Sequence, residues 1–217
     1  MVGRRAGRGD AGSISVGYVF SAGCGGLVSA TLADFRKAHA DVSFQLARMQ
    51  TFAQFKGLID GSLDVGFTRG LQRYPSGLVG FIVERQPFWL VLPEGHKLAK
   101  RRQITPAMLV DESFVAVSME MEVGFWGNVA AIAAPGAPLR IVERAPDAFT
   151  VMALVASGAG ISVLSESLTR IDMPGLVFRK LVGVTRMADH ALVYRKNESA
   201  PVVKTFVDFL RDRTRGR

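Results

Sequence analysis

Two polar stretches that follow predicted strands could bind an anion. "FSAGCGG" (20–26) carries Ser21, and "RMQTF" (48–52) carries Thr51. Each hydroxyl stands at the start of a predicted helix, where backbone N–H groups lack intrahelical partners and carry partial positive charge. With the N–H groups of Ala22 to Gly25, they could hold a carboxylate without a lysine. Both hydroxyls could equally be ordinary helix caps, and the residue types alone do not separate these two roles.

The order of elements places both stretches at one edge of a sheet. Alternating apolar residues predict strands at 13–19, 42–46 and 63–68, and apolar residues at helical spacing predict helices at 25–38 and 51–60. The predicted inner face of the second helix consists of Phe52, Phe55, Leu58 and Ile59. Strands and helices that alternate at such short spacing indicate a parallel sheet, in which ligands bind beyond the carboxyl ends of the strands.

A second α/β series follows. Two extended runs at 78–92 are separated by Arg85, Gln86 and Pro87, and the last predicted elements are a strand, "HALVYRK", and the helix Val202–Arg213. Between them lie predicted strands at 113–118, 139–144 and 160–164 and helices near 128–134 and 147–157. We predict an α/β fold of two Rossmann-like lobes with a crossover hinge. Lobe I covers 13–85 and 186–213, lobe II covers 86–185, and 1–12 are disordered or a linker remnant.

The phrase "LIDGSLDVGF" (58–67) places a carboxylate, Asp64, at the start of a buried strand. Gly61 is expected to end the preceding helix, because glycine readily adopts the left-handed conformation of a helix C-terminus. Asp64 is expected to accept backbone N–H bonds at the strand entrance, since an unpaired buried carboxylate would be costly. This assigns Asp64 a structural role.

Composition restricts the classes of function. The net charge is +8, but much of it lies in the two termini, with Arg4, Arg5 and Arg8 at one end and Lys204 to Arg217 at the other. A nearly neutral body is a poor surface for nucleic acid. With one cysteine, Cys24, and three histidines far apart in sequence, no metal site and no disulfide is expected, and we predict no cofactor. Each histidine is expected at the surface or as a cap.

The N-terminal region also resembles an export signal ending in a lipidated cysteine. A basic leader and a short apolar run precede Cys24. Asp10 interrupts the basic region, and Ser21 occupies the third position before the cysteine, where a bulky aliphatic residue is expected. These two features argue against export, and an exported solute-binding protein is kept as the alternative. No run of about 18 apolar residues predicts a membrane span, and we expect a cytoplasmic protein that does not bind membranes.

Five phrases, in order along the chain, resemble the effector-binding domain of LysR-type transcriptional regulators. They are "ISVGYVFS" (14–21), "LADFRKAHADVSFQL" (32–46), "LIDGSLDVGFTR" (58–69), "FWLVLPEGHKLA" (88–99) and "ALVASGAGISVL" (153–164). The resemblance implies the two-lobed fold of type 2 periplasmic binding proteins. "MQTFAQ" and "GFTR" look most like regulators of aromatic-compound catabolism.

The resemblance also implies a site. It would bind a small organic effector, a carboxylate or an aromatic compound, in the cleft between the lobes. The implied effector-binding residues are Ser21, Ala22, Gly23, Thr51, Phe52, Arg69, Phe125 and Phe149. Arg69 either contacts the effector or pairs with a carboxylate of the other lobe, and Phe125 either covers an apolar ligand or belongs to the core.

Partners follow from the same resemblance. A homodimer or homotetramer is implied, with the first long helix of one protomer against the second lobe of another. DNA would be bound only through a helix-turn-helix, which nothing before Gly12 resembles, so the chain is expected to be either a truncated regulator or an orphan domain. "GCGG" completes no nucleotide-binding motif, and no G-x-S-x-G or H-E-x-x-H is present. We therefore predict that the protein is not an enzyme, with a small-molecule enzyme on this fold as the alternative.

Overall fold

The computed structural model describes residues 11–118, 125–133 and 138–216, which form nine strands and six α-helices. They divide into two compact units. The first runs up to Arg85 and resumes at Asp189, and the second is Gln86–Ala188. The sequence placed the return of the chain to the first lobe between residues 185 and 186, three positions before the observed boundary. The predicted disorder or linker at 1–12 falls mainly outside the described residues, but its end is wrong, because strand β1 already begins at Ala11.

The first unit is built on a mixed sheet. Strands β1 (Ala11–Tyr18), β2 (Asp41–Arg48) and β3 (Val65–Arg69) are parallel, as predicted, and β9 (Met187–Arg195) joins β3 antiparallel. The strand order is β2-β1-β3-β9-β4, so β2 ends the described sheet at one side. The helices of this unit are α1 (Phe20–Cys24), α2 (Leu27–Ala38), α3 (Thr51–Asp60) and α6 (Pro201–Arg215).

The two faces of this sheet bury different clusters. Helices α2 and α6 pack Phe35 and Phe206, both fully buried, on the face that carries Ile14 and Leu192. Helix α3 packs Phe55 and Leu58 against Ala191 and Val193 on the other face. Neighbouring residues of β9 serve opposite clusters because successive side chains of a strand point to opposite faces.

Helix α3 corrects a sequence prediction. Phe55 and Leu58 are buried as expected, but Phe52 and Ile59 are 49% and 60% exposed. The buried stripe instead includes the polar Thr51 and Gln54. The amide nitrogen of Gln54 donates to the carbonyls of Met49 and Phe67 at 2.9 and 3.3 Å. A polar side chain is therefore buried here because it satisfies backbone carbonyls beside the end of β3.

Asp64 holds the entrance of β3, as predicted. Gly61 ends α3 with φ +83°, and Asp64 accepts the N–H of Ser15 at 2.9 Å. Its other oxygen accepts from the guanidinium of Arg195 at 3.0 Å. The same guanidinium donates to the carbonyl of Leu63 at 2.5 Å. Arg195 is the partner that the local sequence did not reveal, because it lies 131 residues away in β9.

Strand β4, which begins in the first unit and ends in the second, differs most from prediction. The two runs expected at 78–92 form one continuous strand, Leu78–Pro93, because Pro87 tolerates extended backbone. Its second half pairs antiparallel with β7 (Ser162–Ser165) and with β8 (Leu176–Lys180), a strand absent from the sequence prediction. The remaining elements are β5 (Ser113–Val117) parallel to β6 (Arg140–Ala145), α4 (Phe125–Ala133), α5 (Ala148–Ala156) and two short 3-10 turns.

Candidate functional site

The carboxyl ends of β1 and β3 bring three of the predicted site residues to one region of the first unit. Ser21 lies in α1, directly after β1, and Arg69 is the last residue of β3. Thr51 opens α3, and its hydroxyl accepts the backbone N–H of Arg69 at 3.3 Å. All three are buried, at 2%, 3% and 7% exposure. Parallel strands place their carboxyl ends at one edge, which explains this convergence.

Thr51 does not cap its helix. The N-cap position is Gln50, and no side chain caps the helix there. Thr51 is the first helical residue and uses its hydroxyl oxygen to hold the end of β3 instead. Thr68 also contributes, since its hydroxyl donates to the carbonyl of Arg69 at 3.0 Å. The backbone at Arg69 is therefore fixed on both its polar atoms by threonine side chains.

Ser21 contacts a residue that the sequence did not mark as functional. Its Oγ lies 2.7 Å from Nε2 of His190, and Nδ1 of the same ring lies 2.9 Å from Oε2 of Glu84. His190 is fully buried, so the expectation of a surface or capping role is wrong for this histidine. In the β3–β9 pairing His190 lies directly opposite Arg69. Serine, histidine and glutamate thus form one chain of hydrogen bonds beside Arg69.

The charge state of His190 follows from its surroundings. Burial lowers the pKa of this imidazole below its ordinary value, because desolvation disfavours the cation. The hydrogen bond and the negative charge of Glu84 oppose this and raise the pKa, as does the charge of Asp189, whereas the guanidinium of Arg69 lowers it. The net direction is downward, so the ring is neutral at pH 7 and one of its nitrogens is an acceptor.

The backbone donors predicted for the site are committed elsewhere. The N–H groups of Ala22 and Gly23 donate to the carbonyl of Val19, at 3.0 and 3.3 Å, and that of Gly25 donates to the carbonyl of Ser21 at 3.0 Å. Ala22 is fully buried, and a Cβ on Gly23 would lie 2.7 Å from the ring of Tyr18. These residues shape the turn after β1, and their contact with an effector stays a prediction.

The three aromatic residues predicted for the site lie on three different helices. Phe52 is 49% exposed and packs edge-on against Phe55. Phe149 is 49% exposed on α5 of the second unit. Phe125 begins α4, and its side chain lies outside the described residues. The predicted role of these three residues in binding an effector stays a prediction.

His190 and Glu84 were missed because their signal is not local. They lie 169 and 63 positions beyond Ser21 along the chain. Each belongs to a strand whose sequence shows no sign of a functional site. A charged or titratable residue within a buried strand is the only local hint that either offers. Antiparallel addition of β9 to β3 brings His190 to the site, and this pairing was not predicted.

Within the part of the chain that the structure describes, no group of three or more histidine, cysteine, aspartate or glutamate side chains is arranged to hold a metal ion. The thiol of Cys24 donates to the carbonyl of Ser21 at 3.7 Å. Over the same residues, no helix is long and apolar enough to cross a membrane. The polar side chains at this edge of the sheet include the hydroxyls of Ser21 and Thr51, the imidazole of His190 and the guanidinium of Arg69.

Comparison with known proteins identifies the family. The LysR substrate binding domain matches residues 7–215. The chain belongs to this family. It is the effector-binding domain of a LysR-type transcriptional regulator. One curated relative is the uncharacterized HTH-type transcriptional regulator YnfL of Escherichia coli K12, 28% identical over 202 residues, which are 92% of this chain and 67% of YnfL. The chain thus spans about two thirds of that relative.

Solved structures of LysR proteins share the fold. CbnR, a LysR family transcriptional regulator, superposes with a TM-score of 0.85 at 25% identity, covering 97% of this chain and 72% of CbnR. The effector-binding domain of BenM with its effector benzoate gives 0.77 at 21% identity, with 92% and 90% covered. The effector-binding domain of QuiR in complex with shikimate gives 0.82 at 19% identity, with 95% and 99% covered. Two-lobed α/β architecture, as predicted, is therefore the fold of this LysR domain.

Proposed function

We propose that this LysR domain senses a small organic acid through Ser21, Thr51 and Arg69. The observation that carries the proposal is the convergence of two hydroxyls and a guanidinium, all buried, beside the carboxyl ends of β1 and β3. Hydroxyl and guanidinium groups both donate hydrogen bonds to carboxylates, so an acid matches the side chains that converge here. Benzoate and shikimate, bound by BenM and QuiR, are acids of this class.

The proposed mechanism is a shift between conformations. An effector changes the state of a regulator only if it binds one conformation better than another. Contacts to α1, α3 and β3 at once would favour whichever arrangement holds these three elements together. In the full-length protein, a helix-turn-helix would transmit the change to DNA. The protein would then act in the compartment that holds the DNA. The charge of this chain gives no reason to assign DNA contact to the effector domain itself.

We expect benzoate, shikimate or a related acid to raise the melting temperature, with Ser21→Ala and Thr51→Ala reducing that shift by at least half. Ligands that bind only the folded state stabilise it by about 2.7 kcal/mol at a hundredfold excess over Kd. Differential scanning fluorimetry over a concentration series measures the effect. Each variant is compared with its own ligand-free melting temperature, because removing Ser21 Oγ also removes a buried partner of His190.

Ser76→Ala is the matched control, since Ser76 is an exposed serine in the turn before β4. It should respond to ligand as the unchanged protein does. If Ser21→Ala and Thr51→Ala respond equally well, the acid binds at another place and the proposed site is wrong.

An enzyme is the second candidate, because Ser21, His190 and Glu84 are connected as nucleophile, base and orienting acid are in hydrolases. In acyl transfer the N–H after the nucleophile commonly stabilises the oxyanion. Here the N–H of Ala22 donates to the carbonyl of Val19. The missing donor favours binding over hydrolysis. Turnover of an activated ester that is lost in Ser21→Ala would support the enzyme instead.

We also propose that the domain self-associates through a groove beside the edge strand β2. The groove has a volume of about 550 Å³. It is lined mainly by α1, α2 and the ends of β1 and β2, including Phe20, Val28, Leu32, Ala33 and Leu46. Leu46 is 51% exposed on β2, which ends the described sheet at this side. A mainly apolar groove next to the edge strand of the described sheet fits a second copy of the chain, and membership of the LysR family implies such a partner.

Ala33→Arg is expected to convert a dimer of this domain to a monomer, because a long charged side chain would enter the groove on α2. Sedimentation velocity reports the oligomeric state. Ala53→Arg places the same change on the exposed side of α3 and should leave the dimer intact. A dimer that persists in Ala33→Arg would exclude this groove as the interface.

A further inference from the structure

The hydrogen-bonded chain Ser21–His190–Glu84 restricts what Ser21 can offer to a ligand. Both ring nitrogens of His190 are occupied, Nε2 by Ser21 Oγ at 2.7 Å and Nδ1 by Glu84 Oε2 at 2.9 Å, and the ring is fully buried. Because solvent cannot reach the ring of His190, its two nitrogens must find compatible partners in Ser21 and Glu84.

Chemistry decides those positions. An ionised glutamate accepts hydrogen bonds and cannot donate, so Nδ1 of His190 must carry a proton. A neutral imidazole has only one N–H, so Nε2 is then an acceptor. Ser21 must donate its hydroxyl proton to Nε2. A serine has a single O–H, and that proton is already used within the protein.

A carboxylate effector therefore meets the wrong atom in the resting state. Ser21 Oγ can present only lone pairs, and two acceptors facing each other repel. If His190 gains a proton on Nε2, that N–H donates to Ser21 Oγ and the hydroxyl proton becomes free to turn toward the carboxylate. We propose that Ser21 donates to a carboxylate effector only when His190 takes up a proton, so that effector binding and protonation of this buried imidazole are coupled. This rests on the proposed site at Ser21.

The charges that face His190 suit such coupling. Glu84 on β4 and Asp189 on β9 favour the imidazolium, while Arg69 on β3 opposes it, and Arg85 lies 3.8 Å from Asp189. Burial lowers the pKa of His190, so the ring is neutral before ligand arrives. A bound carboxylate adds negative charge beside Arg69 and Ser21, which offsets the opposing guanidinium. Proton uptake thus completes the same electrostatic network that the ligand enters.

The resting state can be tested without a ligand. Correlation spectra of the imidazole nitrogens show which of them carry protons, and His190→Gln identifies the His190 signals among the three histidines. At pH 7.5 we expect a neutral ring protonated on Nδ1. A neutral ring protonated on Nε2 would overturn the proposal, because Ser21 would then already have its proton free.

Coupling is tested with benzoate as the probe, by calorimetry from pH 6.0 to 8.5 in buffers of different ionisation enthalpy. Carboxylic acids stay ionised in this range, since their pKa values lie near about 4. We expect uptake of up to one proton per benzoate. The affinity for benzoate should therefore weaken by up to tenfold for each unit by which the pH rises. Benzamide, a neutral analogue, should bind without proton uptake. Benzoate binding with no uptake would overturn the coupling while leaving the effector class intact.

Glu84→Gln separates this mechanism from a general effect of charge. A glutamine can donate to Nδ1, which lets a neutral His190 carry its proton on Nε2 and frees the Ser21 hydroxyl. Benzoate should then bind with little proton uptake. Asp189→Asn also removes one negative charge near the ring but leaves the Glu84 bond in place, so uptake should persist.

Equal uptake in Glu84→Gln and in the unchanged protein would contradict the relay. If the ring shows the expected tautomer but neither benzoate nor shikimate binds at any pH, the proposed effector class fails, and the coupling fails with it. The spectra of the ligand-free ring distinguish this outcome from a misassigned proton.

Discussion

Replacing Phe35 by alanine is expected to lower the free energy of unfolding by about 3–5 kcal/mol, the range for truncating a fully buried phenylalanine. Phe35 is 0% exposed on α2. Its ring meets Phe44, Phe206 and Phe209 edge-on at 5.9, 5.0 and 5.3 Å and stacks on His39 at 4.3 Å. Alanine would leave a cavity between α2, β2 and α6, and rigid aromatic neighbours cannot collapse to fill it.

The measurement is chemical denaturation followed by circular dichroism. Phe52→Ala is the matched control, because Phe52 is 49% exposed and its loss should change stability by less than about 1 kcal/mol. Similar losses for the two variants would mean that the burial of α2 against α6 contributes less than its packing implies. Phe52 also belongs to the predicted effector site, so its variant serves as a control for stability alone.

Acid should weaken the fold through His190, by up to about 1.4 kcal/mol per pH unit from this one group. Burial holds the pKa of His190 below its ordinary value. As pH falls below about 6.5, an unfolded chain therefore binds a proton at this histidine before the folded chain does. The stabilising contribution is complete above that pH and is lost as pH falls toward the pKa of the folded state. Stability thus rises with pH in this window.

His190→Gln removes the titrating ring and should flatten this part of the profile. Denaturation midpoints at closely spaced pH values give the slope for each protein. His96→Gln removes a histidine of the second unit without touching Ser21 or Glu84 and should keep the slope. A profile for His190→Gln as steep as that of the unchanged protein would mean that other groups cause the acid sensitivity. Absolute stability at neutral pH is not the criterion, since the substitution also alters two hydrogen bonds.

Local sequence was sufficient for most elements. Alternation identified β1 and β2, and helical spacing identified α2 and α6, because each of these two helices buries one regular stripe of apolar residues. Local sequence failed where a helix buries polar side chains, and where a strand continues through a residue that was expected to break it. Helix α3 buries Thr51 and Gln54 in place of Phe52 and Ile59, since their polar groups bond to backbone beside β3. Strand β4 passes through Pro87 unbroken, and β8 was missed.

The sequence by itself determined the family of this protein, its α/β class and the position of Ser21 and Thr51 after two parallel strands. Those features depend on residues close together in the chain or on phrases in a fixed order. Only the tertiary structure decided what Ser21 is bonded to. His190 arrives from β9 and Glu84 from β4, and long-range strand pairing leaves no mark in either segment. Because hydrogen bonds join groups by position in space, the protonation of the site was beyond the reach of sequence.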